Sequence, residues 1–119
     1  MKLPGPDCPI TIMANPRRVR VTAGGVVIAD TTHALTLKEA SYPPVQYVPR
    51  GDANMALLKR SDRTTHCPYK GDASYYSVVA DGKMLENSSW TYETPFPAMA
   101  EISGHLAFYP DKVKIEEVA

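Results

Sequence analysis

Eleven prolines, gathered in three clusters, constrain this chain more than any other feature. They fall at Pro4, Pro6, Pro9 and Pro16, at Pro43, Pro44 and Pro49, and at Pro68, Pro95, Pro97 and Pro110. Proline lacks a backbone N–H and fixes φ, so it breaks helix interiors and is kept out of central strands. It also pushes the residue before it out of the helical region. What remains between the clusters is a series of short segments joined by stiff turns. That is the signature of many short strands.

The pattern of side chains agrees. Val19 and Val21 alternate with Arg18, Arg20 and Thr22, the period-two signature of a half-buried strand. Gly24-Gly25 then permits a turn, and Val26 to Ala29 returns as a second strand. Leu35 and Leu37 alternate with Thr36 and Lys38, and Val45 to Val48 runs up to Pro49. Thr64 to Cys67 is strand-like and ends at Pro68, and Ala73–Ala80 and Lys83–Tyr92 flank the strong hairpin signal Asp81-Gly82. Leu106 to Tyr109 and Val113 to Val118 are expected to pair around Pro110-Asp111-Lys112. Two helical turns are expected, one over 52–58 capped by Asp52 and one over 97–103 opened by Pro97. The reading is a single mainly-β domain over residues 17–118, with about eight short strands in a tent, barrel or sandwich. Residues 1–16 are expected to be an irregular N-terminal arm. The alternative is an α+β fold with longer helices over 51–60 and 96–104.

Charge and cysteine usage narrow the function. Lys+Arg and Asp+Glu both number 13 in a chain of 119 residues, so the formal net charge is zero. Non-specific nucleic-acid binding wants a positive field, and this balance argues against it. No apolar run reaches the roughly 18 residues a membrane helix needs. Prolines interrupt the N-terminal stretch where a signal peptide needs apolar residues, so a cytoplasmic location is expected. Two cysteines cannot form a disulfide scaffold, which fits a reducing compartment. The three histidines and two cysteines show no zinc-ligand spacing, and no metal site is expected.

Three features point to a ligand site. Cys67 sits three residues before Lys70, and a nearby ammonium favours the nucleophilic thiolate; Cys67 and Lys70 are the candidate catalytic pair. The bland alternative is that Cys67 is a small core residue. Arg50-Gly51-Asp52 and Lys70-Gly71-Asp72 each combine a cation with an accessible backbone amide, a combination that suits an anion, unless both are simply solvated turns. Seven tyrosines and Trp90 supply flat amphipathic walls or, equally, the edge of a core.

These residues also form a familiar pattern. Tyr42-Pro43-Pro44, Tyr47-x-Pro49-Arg50-x-Asp52, and Thr65-x-Cys67-Pro68-x-Lys70-Gly71-x-Ala73-x-Tyr75 resemble the bacterial domain-of-unknown-function family 427. Trp90-x-Tyr92-x-x-Pro95 and Ala107-Phe108-Tyr109-Pro110 extend the resemblance over about residues 17 to 118. It implies a small mainly-β tent and, through the family's nucleotidyltransferase-like label, nucleotide handling. Nucleotidyl transfer ordinarily uses a Gly-Ser turn followed by paired carboxylates that hold two Mg²⁺ ions. Here Gly24-Gly25 leads into Val26-Val27, and no D-x-D or D-x-E occurs.

Physical and familial arguments converge on one cleft for a small anionic or nucleotide-like ligand. Arg50, Asp52, Lys70 and Gly71 are expected to supply its polar contacts, and Tyr42, Tyr47, Tyr75 and Trp90 its walls. The competing class is a non-catalytic structural or protein-interaction module.

Overall fold

Alternation along three strands decides the architecture, because each sends neighbouring side chains into different cores. The computed structural model describes all residues, Met1–Ala119. Ten strands are present: β1 (Ile10–Asn15), β2 (Arg18–Ala23), β3 (Val26–Thr31), β4 (Ala34–Glu39), β5 (Val45–Tyr47), β6 (Leu58–Cys67), β7 (Gly71–Ala80), β8 (Lys83–Thr91), β9 (Leu106–Phe108) and β10 (Lys114–Val118). They form three antiparallel sheets in the orders β1-β4-β5, β10-β2-β3 and β6-β7-β8-β9. The only helical pieces are short 3-10 turns at Arg50–Asp52, Met55–Leu57 and Pro97–Ile102. The mainly-β reading holds, and the long helices of the α+β alternative are absent.

The four-stranded sheet lies between two cores. Tyr76, Val78, Leu106 and Phe108 join Val21, Ile28 and Val48 in one buried cluster, against the β10-β2-β3 sheet. Ala73, Tyr75 and Ala107 join Leu37, Tyr47, Met99 and Ile102 in the other, against β4 and β5. Tyr75 and Tyr76 therefore part company, as do Tyr47 and Val48, as do Leu106 and Ala107. The two-residue period of a strand requires this. A mutual pair of 2.8 Å backbone bonds between Val48 and Leu106 stitches the β5 side to β9.

Four local expectations change. The supposed irregular arm carries β1, which pairs residue for residue with β4 from Ile10↔Glu39 to Asn15↔Ala34. Its alternation of Ile10 and Ile12 with Thr11 and Met13 was hidden among the prolines. Leu106–Phe108 and Lys114–Val118 do not pair with each other; β9 joins β8 and β10 joins β2. The turn at 110–112 therefore leads from one sheet to another instead of closing a hairpin. The 52–58 helix is instead the pair of 3-10 turns, and β6 already begins at Leu58. Asp52 caps neither turn. The Asn54 side chain does so, accepting from the Ala56 amide at 3.2 Å.

Candidate functional site

The second core opens at one end into a cleft of about 460 Å³, within the range of small-molecule sites. Its walls are aromatic for a topological reason. Tyr75 of β7 and Trp90 of β8 are register partners, so both side chains project on the same face of the sheet. Tyr47 approaches from β5 and Tyr109 follows β9. Trp90 touches both: its Nε1 donates to Tyr47 Oη at 3.2 Å, with the rings edge-on at 6.3 Å. The Tyr109 ring lies 4.5 Å from it, tilted by 43°. Tyr42 stands at the rim, 66% exposed, on the loop stiffened by Pro43 and Pro44. Tyr92 completes the lining.

The polar end is an ion pair. Lys70, buried in the β6–β7 turn, donates from Nζ to Glu39 Oε1 at 2.6 Å and to Cys67 Sγ at 3.5 Å. The ammonium also lies 5.9 Å from the centre of the Tyr92 ring. Burial alone would favour neutral lysine. The Glu39 hydrogen bond and the acidic groups around it outweigh burial, and the Lys70 pKa is raised above its ordinary value. The phenols are shifted too. Burial raises Tyr47, although the Trp90 hydrogen bond works against it, and burial drives Tyr92 strongly upward. Burial and the Tyr75 contact push Tyr109 up to about 12. Tyr75 moves down: burial opposes this, but Thr65, Tyr109 and the nearby Arg63 guanidinium together prevail.

Of the expected site residues, Tyr42, Tyr47, Lys70, Tyr75 and Trp90 line the cleft. Cys67 lies at its edge behind Lys70, packed against the second core. Arg50 and Asp52 are elsewhere. Arg50 Nη2 donates to Tyr76 Oη at 2.9 Å, and Tyr76 faces the first core. The expectation of Arg50 and Lys70 in one cavity fails because Tyr75 and Tyr76 are adjacent on one strand and point to opposite sides. Asp52 accepts from Thr31 Oγ1 at 2.7 Å and so ties the Arg50–Asp52 turn to the end of β3. Gly71 is a backbone requirement. Its φ is +113, and a Cβ there would sit 3.5 Å from the Phe96 nitrogen, whose amide bonds Lys70 O at 2.9 Å.

Glu39 is the residue that sequence reasoning missed. Its signal was available in the period-two spacing from Leu37, which puts both on the same face of β4. Glu39 is the sole carboxylate in the cleft, and Lys70 already holds it. No three His, Cys, Asp or Glu side chains converge anywhere in a way that would hold a metal ion.

The match to known families now meets this geometry. The model of a domain of unknown function, DUF427, with a nucleotidyltransferase label, covers residues 11–119. The chain belongs to this family. The matched span begins within β1 and includes every residue that lines the cleft. No curated protein sequence matches the chain. The paired Mg²⁺ ions implied by the DUF427 label do not fit these residues, since the cleft offers one carboxylate already engaged by an ammonium. No helix is long and apolar enough to cross a membrane.

Proposed function

We propose that the cleft binds a nucleotide-like ligand through its base, read as a flat ring with a polar edge. The single observation that carries this is Trp90, held at its Nε1 edge by Tyr47 and packed against Tyr109, in the cleft that the Lys70–Glu39 pair also lines. Base–aromatic stacking contributes about 1–3 kcal/mol per base and needs only a π-face. Lys70 has three N–H donors, of which Glu39 and Cys67 take two. The third remains for a ring carbonyl. Glu39 bonds Lys70 through Oε1, which leaves Oε2 for an amine or imide N–H. An adjacent donor and acceptor match the edge of a nucleobase. Because the pair is neutral as a unit, this end selects hydrogen-bonding pattern over charge. Lys70 is thus a ligand contact, and Cys67 helps to hold it. Two free thiols suit the reducing cytoplasm in which such a ligand is met.

Trp90 is the only tryptophan of the chain, so fluorescence excited selectively at tryptophan reports on this cleft. Titration with adenosine, guanosine, cytidine and uridine is expected to give saturable quenching with at least one nucleoside. Glu39→Ala is expected to weaken that nucleoside about tenfold, the equivalent of one hydrogen bond to a charged group. No saturable change with any of the four overturns the reading and favours an interaction module.

A further inference from the structure

The aromatic cleft does not end at Tyr75 and Tyr109. Their hydroxyls approach to 3.5 Å, and the same two residues line a second cavity of about 340 Å³ on the far side. Pro110 lines the first cavity and Asp111 and Lys112 the second, so one turn borders both. The remaining walls of the second cavity are Arg63, Glu86 and Asn87. Arg63 forms no ion pair with any carboxylate, and its guanidinium carbon lies 5.0 Å over the Tyr75 ring. The other cation is already engaged, since Lys112 Nζ donates to the Glu86 carbonyl at 2.6 Å.

We propose that this second cavity is an anion subsite in which Arg63 grips the phosphate of a ligand whose base occupies the aromatic cleft. The proposal rests on the base-binding reading above and adds to it the ligand's second half: a nucleoside monophosphate rather than a nucleoside. Arg63 takes the part that Arg50, on the other face of the sheet, cannot play. Its planar fork suits a phosphate, and its place over Tyr75 puts it at the joint between the two cavities. The register slip in β6 between Arg60 and Thr64 supplies the local cause. Thr65 pairs with Ala73 on the Tyr75 face, so the two-residue period carries Arg63 to that face, and the slip leaves residues 61–63 without register partners opposite Tyr75. Glu86 and Asp111 share the cavity and work against a highly charged tail, which favours one phosphate over three.

The test compares adenosine with AMP, and uridine with UMP, by Trp90 quenching and by calorimetry. AMP or UMP is expected to bind about tenfold more tightly than its nucleoside, and rising salt should shrink that ratio. In Arg63→Gln the ratio should fall to near one, and Arg63→Lys should restore part of it. Lys59→Gln, on the same strand and also exposed, should keep the ratio and serves as the charge control. Nucleosides that bind while their monophosphates bind no better overturn the subsite and leave the base reading intact. A ratio that survives Arg63→Gln does the same. If neither nucleosides nor monophosphates bind, both proposals fall together.

Discussion

Lys70 and Glu39 show how unequal the two halves of one ion pair are. The lysine side chain keeps 9% of its exposure and the glutamate 21%, so losing the carboxylate strands a buried ammonium. Losing the lysine leaves a carboxylate that water still reaches. Breaking a buried pair costs about 3–5 kcal/mol, and partial exposure lowers this. Glu39→Gln is therefore expected to destabilise by about 2 kcal/mol and Lys70→Met by about 1 kcal/mol, read from urea unfolding midpoints. Equal costs, or the reverse order, would show that burial of the ammonium is not what governs the pair. The sequence made Lys70 visible because a turn between prolines and a glycine advertises it. Glu39 was invisible as a partner, since no local rule links position 39 to position 70. Arg50 misled for the converse reason: it looks like an anion ligand from any local vantage, and only the face of Tyr76 reveals its use.

Elements were more legible than their partners. Both two-residue hairpins lie where glycine marks them, with Gly24, Gly25, Asp81 and Gly82 all at positive φ. What the sequence concealed is that the two turns touch. A Cβ on Gly24 would lie 2.9 Å from Asp81 Cβ, whereas one on Gly25 would meet nothing. Left-handed backbone alone costs an alanine about 1 kcal/mol. Gly25→Ala should show roughly that loss, and Gly24→Ala about 2 kcal/mol, since the atom it meets is fixed to the backbone. Thermal unfolding of the two variants side by side checks the difference. Pairings such as β1 with β4 and β10 with β2 span long sequence distances, and period-two patterns specify a face without specifying a neighbour. For that reason the strands could be read from the chain and the sheet order could not.

At the scale of the whole molecule, the cleft makes the protein sensitive to alkali. Tyr47, Tyr92, Tyr109 and Lys70 all have folded pKa values above their ordinary 10.0 or 10.5. In each case the folded state holds its proton more tightly than the unfolded chain does. Their contribution to stability is complete below about pH 10 and is lost as pH rises through the folded values, about 12 for Tyr109. Tyr75, shifted downward, has the opposite sign and is outnumbered. Urea midpoints should fall steeply between about pH 10 and pH 12, and Tyr92→Phe should flatten the slope. A slope unchanged by that substitution would place the alkaline sensitivity elsewhere. The parting of Tyr75 and Tyr76 has a consequence of another kind. With β7 as the partition between two rooms, a substitution on one wall is felt first in the room it faces. A single inserted or deleted residue in that strand trades the rooms' contents at one stroke. A change of residue along β7 therefore falls on one core, and a change in its length falls on both.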